Sequence, residues 1–279
     1  MAWTWLARFK AGLSALLASF ALGAVAPAAV ADDYIVVQST TSTEASGLFE
    51  HLLPKFETMT GIDVRVVAVG TGQAIRNAKN GDGDVLFVHH TPSELRFVAQ
   101  GYGKRRFDVM SNAFVVVGPS DDPAGIGGMD SATKAFTEIA DAGVPFASRG
   151  DDSGTNKKEL GLWGMTDVDP KAASGDWYRE TGSGMGATLN TAVSMGAYTL
   201  SDRATWLNFR NKGAHTILVE GDPKLFNQYG VIVVNPDTHP HVKDQKAQAF
   251  VDWLVSAGGQ KAIASYRIDG QQAFFPNAR

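Results

Sequence analysis

The sequence predicts an α/β fold of two lobes joined by two crossing strands, and three observations predict it. Apolar runs alternate with stretches of helical periodicity, which implies parallel strands connected by helices. Two strongly apolar strands, within Phe114–Val117 and Val231–Val234, bracket the middle of the chain. Hydroxyl- and glycine-rich turns open four of the helical stretches, two on each side of the first crossing.

The elements follow in order. Tyr34 to Gln38 is a strand, and a helix runs from about Glu44 to Thr60 with Leu48, Leu52, Leu53 and Phe56 on one face. Val64 to Val69 is the next strand, a helix starts at Gln73, and Val85 to Val88 is a short buried strand. Phe107 to Gly118 is stopped by Gly118-Pro119 and a loop rich in Asp, Pro and Gly through Met129. A second α/β unit begins near Thr133, with a strand over Pro145–Ser148 and helices near Asn156–Trp163 and Ala187–Tyr198. Thr216–Glu220 and Tyr229–Asn235 are its late strands, and the closing helix from Val242 to Ala257 carries Phe250, Trp253 and Leu254 at helical spacing. The expected division is residues 1–31 as an export signal, 32–116 with 232–279 as lobe one, and 117–231 as lobe two.

The chain of 279 residues, with a net charge of −4, is long enough for one large or two modest cores. That charge gives no reason to expect nucleic acid or a polybasic membrane contact. Arg8 and Lys10 precede an apolar run from Ala11 to Val30 that ends in Ala29-Val30-Ala31. This pattern reads as a secretory signal cut after Ala31; a retained anchor is the competing reading. Without cysteine there is no disulfide and no lipid anchor through a diacylated cysteine. The mature chain is therefore expected to be a soluble periplasmic monomer.

The chemistry concentrates in the four turns. Ser148-Arg149-Gly150-Asp151-Asp152-Ser153-Gly154-Thr155 sets a guanidinium and hydroxyls around the start of a helix. Free backbone N–H groups, the helix dipole and a formal positive charge then point at one place, which is how a protein holds an anion. A plain N-cap and a local salt bridge are the structural alternative. Of Asp151 and Asp152, one is expected to cap the helix and the other to fix Arg149. A carboxylate facing the ligand would instead favour a protonated oxyanion. Ser39-Thr40-Thr41-Ser42-Thr43 gives five hydroxyls in a row between a strand and a helix, more than capping needs. Which of them would touch an ion stays open at this level.

Gly70-Thr71-Gly72-Gln73 resembles a dinucleotide fingerprint but has Ile75 at the third glycine. Gly182-Ser183-Gly184-Met185-Gly186 fits G-x-G-x-x-A, yet Asp176–Glu180 before it does not read as a buried parallel strand. No G-x-S-x-G elbow, P-loop or H-E-x-x-H is present, which argues against a secreted hydrolytic enzyme. His89 and His90 are adjacent in a strand and point to opposite faces, so they do not share a metal. Asn80–Asp84 lacks the glycine and final ligand of a calcium loop and reads as a turn. The tryptophans Trp163, Trp177, Trp206 and Trp253 are assigned to packing.

These motifs, in this order, resemble the periplasmic tungstate-binding proteins of Tup-type ABC transporters. Thr40-Thr41-Ser42, Val69–Gln73, Asp84–His89, Ser148–Thr155, Leu162-Trp163, Gly184-Met185-Gly186 and Tyr198–Arg203 carry the resemblance across nearly all of the mature chain. It implies a type II periplasmic-binding-protein fold, capture of tungstate between the lobes, and delivery to a permease and its ATPase. The implied ligand-binding residues are Thr40, Thr41, Ser42, Thr71, Arg149, Ser153, Thr155, Met185 and Gly186, with no catalytic group, cofactor or metal ligand. Ser39 stands where the family usually has threonine, and Ala204 where it commonly has glycine. Molybdate, so close to tungstate in size and charge, is the alternative ligand; phosphate and sulfate are less favoured.

Overall fold

The computed structural model describes residues 33–279, so the expected export signal and its cut after Ala31 lie outside the described residues. Strand β1 (Tyr34–Thr40) buries Ile35 and Val37 and leads directly into a short helix α1 (Thr41–Ala45). Gly47, at φ +77°, breaks the chain before α2 (Leu48–Thr60), so the single helix expected from Glu44 is two helices meeting at a left-handed glycine. β2 (Asp63–Val69), α3 (Thr71–Asn80), β3 (Val85–Val88) and α4 (Thr91–Ala99) continue the alternation. Asn80–Asp84 forms the expected turn, with Gly81 at φ +83°.

The long strand β4 (Gly103–Pro119) follows, then α5 (Ala132–Asp141), β5 (Phe146–Ser148), α6 (Gly154–Trp163), β6 (Tyr178–Glu180) and α7 (Met185–Met195). Next come β7 (Thr199–Asp202), α8 (Arg203–Asn208), β8 (His215–Val219), β9 (Phe226–Val234), α9 (Asp244–Val255) and α10 (Ala257–Ser265). Three two-residue strands, β10 (Arg267–Ile268), β11 (Gln271–Gln272) and β12 (Phe275–Pro276), end the chain. β6 corrects one expectation. Tyr178 is buried, and the segment pairs in parallel with β5, although its polar flanks hide this in the sequence.

The main sheet has the order β12-β4-β9-β3-β1-β2. β1 is parallel to both β2 and β3, but β9 is antiparallel to β3 and to β4, so the sheet is mixed rather than wholly parallel. β4 does double duty. Its first part, as far as Ala113, pairs with β9, and from Phe114 onward it pairs with β7 and β8. Among the described residues two apolar cores are the largest. One gathers Val37, Phe56, Phe87, Tyr229, Phe250 and Trp253; the other gathers Phe114, Phe136, Phe146, Trp163, Tyr178 and Leu200. Each fully buried side chain of this size contributes roughly 1.5–3 kcal/mol by leaving water. Trp163 packs 4.4 Å from Phe136 and Trp177 lies against Trp163, while Trp206 joins Val115, Val117 and Met185, so the tryptophans serve packing as expected.

The second core encloses a carboxylate. Glu159 on α6 accepts from Tyr178 Oη (2.7 Å), Trp163 Nε1 (3.2 Å) and Ser148 Oγ (2.7 Å). Burial pushes its pKa up to about 7 against the pull of these three donors. A carboxyl whose folded pKa lies above its unfolded value binds more protons when folded, so its contribution to stability is lost as pH rises from about 4.5 to 7. Glu159→Gln is therefore expected to flatten the decline in unfolding free energy between pH 5 and pH 8. Urea unfolding at the two pH values checks this, and parallel declines in variant and parent would refute it.

Candidate functional site

Four helix starts meet where the two cores face each other. α1 begins after Thr40, α3 after Gly70, α6 after Ser153 and α7 after Gly184. The first N–H groups of a helix have no intrahelical acceptor, so each start offers donors and the positive end of a dipole. Short contacts tie the four together. Arg149 Nη2 donates to Thr41 Oγ1 (3.1 Å), the Gly154 N–H donates to Thr71 Oγ1 (2.7 Å), and the Gly72 N–H donates to the Asp152 carbonyl (3.2 Å). A methyl group at Gly184 would lie 3.5 Å from Thr41 Oγ1, which brings α7 to the same place.

Arg149 is 1% exposed and held from one side only. Its Nη2 donates to Asp151 Oδ2 (2.6 Å) as well as to Thr41, while Nε and Nη1 are buried without a partner. Burial lowers its pKa, and Asp151 opposes that. Thr155 Oγ1 is likewise buried and unpartnered. Three buried donor atoms with no acceptor are costly in a folded protein unless something accepts from them.

The two aspartates divide their work differently from the expectation. Asp151 both fixes Arg149 and accepts from the Ser153 N–H (3.2 Å). The cap of α6 is Ser153, whose Oγ accepts from Asn156 N at 3.1 Å. Asp152, left-handed at φ +57° and with a half-exposed side chain, pairs with Lys157 and lies 3.6 Å from Arg76 on α3. Each oxygen of Asp151 thus accepts one bond, and the half-exposed Asp152 lies beside Gly72 and Arg76, so neither carboxylate is without a partner.

The structure brings Thr41, Thr71, Arg149, Ser153 and Thr155 together. Thr40 is the N-cap of α1 and accepts from Thr43 N, while Ser39 turns away and donates to the Phe87 carbonyl (2.6 Å). Met185 packs its side chain among Val115, Val117, Leu189 and Trp206, so only its backbone N–H can face the site. Gly186 follows in the same first turn, with open space where a side chain would stand. Ala204 lies in the first turn of α8, capped by Asp202, a place that needs no glycine.

Sequence reasoning missed the layer behind these residues. His89 Nε2 lies 3.0 Å from Ser42 Oγ, and its Nδ1 lies 3.1 Å from Asn227 Oδ1. Asn227, Asn112 and Tyr229 converge on the carboxylate of Asp202. The only available signal was the placement of Asn112 and Asn227 beside apolar strand runs, which does not disclose partners so distant in sequence.

Gly154 sits between the two sides of the site. A β-carbon there would come within 2.8 Å of His89 Cε1 and 3.0 Å of Thr71 Oγ1. Gly154→Ala is expected to hold α6 away from α3 and weaken ligand capture by tenfold or more, with little effect on unfolding in urea. Equal affinities in the variant and the parent, measured by titration calorimetry, would show that this close approach is not needed.

An α/β fold in which four helix starts and one buried arginine with unpartnered donors converge has the anion-binding arrangement of the periplasmic-binding class. Residues 24–257 match the family model described as the PBP superfamily domain. A tungstate-binding protein TupA from Peptoclostridium acidaminophilum is 45% identical over 88% of this chain and 86% of its own length. Among solved structures, the tungstate-binding protein TupA from Desulfovibrio alaskensis G20 is 42% identical, with a TM-score of 0.75 over 88% of this chain and 99% of that one. The tungstate ABC transporter structure from Geobacter sulfurreducens is 46% identical, with a TM-score of 0.77 over 84% of this chain and 99% of that one. The chain belongs to the PBP superfamily, within the family of these TupA proteins, and is a binding protein rather than an enzyme.

Proposed function

We propose that the protein is an extracytoplasmic receptor that captures a tetrahedral oxyanion, tungstate above others, and hands it to an ABC permease and its ATPase. The unpartnered donors Arg149 Nε, Arg149 Nη1 and Thr155 Oγ1 carry this reading. A dianion such as tungstate only accepts hydrogen bonds, so it satisfies them all, and helix starts worth roughly half a charge each balance it together with Arg149. The ligand donors are Arg149, the hydroxyls of Thr41, Thr71, Ser153 and Thr155, and backbone N–H groups at the starts of α3, α6 and α7, including Met185 and Gly186. Selection follows from the same geometry. Hydrogen phosphate carries a proton that needs an acceptor, and it would have to share Asp151 with Arg149 and the Ser153 N–H, whereas tungstate needs only the donors.

The anion would lie between lobe one, formed by residues 32–116 with 232–279, and lobe two, residues 117–231. Most of the second core comes from residues 117–231, which supports this division, although Ala204, Leu207, Tyr229 and Val231 of that span pack into the first core. Among the described residues no helix is long and apolar enough to cross a membrane. The names of its relatives favour tungstate over molybdate. Calorimetric titration of the chain from Asp32 with tungstate, molybdate, sulfate and phosphate tests the proposal. Tight binding of tungstate and no binding of phosphate is the expected result. A preference for phosphate would mean that an acceptor faces the ligand, and binding of none of the four would refute the function.

A further inference from the structure

We infer that a one-way chain of hydrogen bonds ending at Asp202 turns the hydroxyl proton of Ser42 away from the anion, so that Thr41 rather than Ser42 is the hydroxyl donor there, and makes His89 a positioning residue. The inference rests on the oxyanion reading. Asp202 is fully buried and accepts from Asn112 Nδ2 (2.9 Å to each oxygen), Asn227 Nδ2 (2.9 Å), Tyr229 Oη (2.7 Å) and the N–H groups of Ala204 (2.9 Å) and Thr205 (3.3 Å). An acceptor so surrounded by donors stays a carboxylate, although burial raises its pKa.

The direction then propagates by donor and acceptor counting. Both Asn227 amide hydrogens are used, one on Asp202 and one on Asn112 Oδ1 (2.8 Å), so its Oδ1 is what faces His89 Nδ1. An oxygen with no hydrogen requires the ring N–H to be at Nδ1. His89 is buried and neutral, with its pKa lowered to about 4 by burial and by the charges of Arg149 and Lys158. A neutral imidazole has one N–H, so Nε2 is bare and must accept from Ser42 Oγ at 3.0 Å. The ring cannot rotate out of this role. It stacks on Tyr229 at 4.8 Å and lies beside Phe114 at 6.1 Å. Thr40 Oγ1, meanwhile, accepts from Thr43 N and lies 3.2 Å from Ser42 Oγ and 2.7 Å from Thr43 Oγ1, pairs in which either hydroxyl can donate, so the chain of bonds fixes the direction of Ser42 and not of Thr40.

Thr41 differs from Ser42. Its oxygen accepts from Arg149 Nη2, which leaves its proton free and turned toward the site. The consequence for ligand choice is that the donors are the hydroxyls tied across the cleft, Thr41 by Arg149 and Thr71 by Gly154, so they are oriented only when the two sides have come together.

Long-range proton–nitrogen NMR of the histidine rings tests this on the mature chain, with and without saturating tungstate. A proton on His89 Nδ1 and a bare Nε2 are expected in both states; a proton on Nε2 would overturn the inference, because Ser42 would then be free to donate to the anion. Tungstate titrations of Thr41→Val and Ser42→Ala give the second readout. Thr41→Val is expected to lose at least tenfold more affinity than Ser42→Ala, and equal losses would overturn the assignment of donors. If the parent chain bound no oxyanion, the proposed function would fail while the ring measurement still decided the hydrogen-bond direction.

Discussion

Arg149→Ala is expected to lower tungstate affinity by about a hundredfold or more, because it removes the buried charge and two donor atoms that have no other acceptor. Truncating one partner of a buried charged hydrogen bond typically costs about 2–5 kcal/mol in binding, and each 1.4 kcal/mol is a factor of ten. Arg149→Lys should recover little of this. Lysine carries three donors on one atom, and it cannot reach Asp151, Thr41 and the anion together as the planar guanidinium does. A thermal-shift series gives a direct readout. Tungstate is expected to stabilise the parent by RT ln(1 + [L]/Kd) and so raise its Tm, and that rise should vanish in Arg149→Ala at ligand concentrations that saturate the parent. Retention of the full shift would remove Arg149 from the site and with it the proposed source of charge balance.

The Arg149 turn was legible in the sequence because everything that marks it is local. An arginine, glycines and hydroxyls within eight residues before a helix form a turn whose parts are adjacent along the chain. The turns at Thr71 and Met185 were legible for the same reason, as helix starts announced by glycine. What escaped was direction and depth. Met185 looks like a ligand-loop residue in the sequence, but an apolar side chain at a helix start turns into whichever core is nearest. The mixed sheet escaped because alternating strands and helices do not say that β9, after a long excursion through the second core, returns antiparallel between β4 and β3. The hydroxyl run shows both limits. Five adjacent donors read as one feature, yet Ser39, Thr41 and Ser42 point at Phe87, Arg149 and His89, partners 48, 108 and 47 residues away.

Removing the carboxylate of Asp202 is expected to be the most destabilising single change in this region. Asp202→Ala strands the amide hydrogens of Asn112 and Asn227, the Tyr229 hydroxyl and the two N–H groups at the start of α8, all of them buried. Each buried donor left without an acceptor costs about 1–3 kcal/mol, and loss of an aspartate cap about 1 kcal/mol, so a loss of about 4 kcal/mol or more is expected even after partial relaxation. Asp202→Asn should cost less. It preserves the shape and one oxygen, but it sets a donor against donors. Place matters as much as number here, because Asn112 pairs with Asn227 in the β4–β9 register two residues before β4 leaves one core for the other at Phe114. An apolar pair there would leave the two strands free to slide, whereas a shared carboxylate locks them to β7 and, through His89 and Ser42, to the start of α1. Asp202→Ala should therefore lose stability in urea and also loosen oxyanion binding at a distance from the ligand, while Asp202→Asn shows both effects at smaller size. A loss below about 1 kcal/mol in Asp202→Ala would mean that water replaces the carboxylate and that the strands are held by their ladder alone.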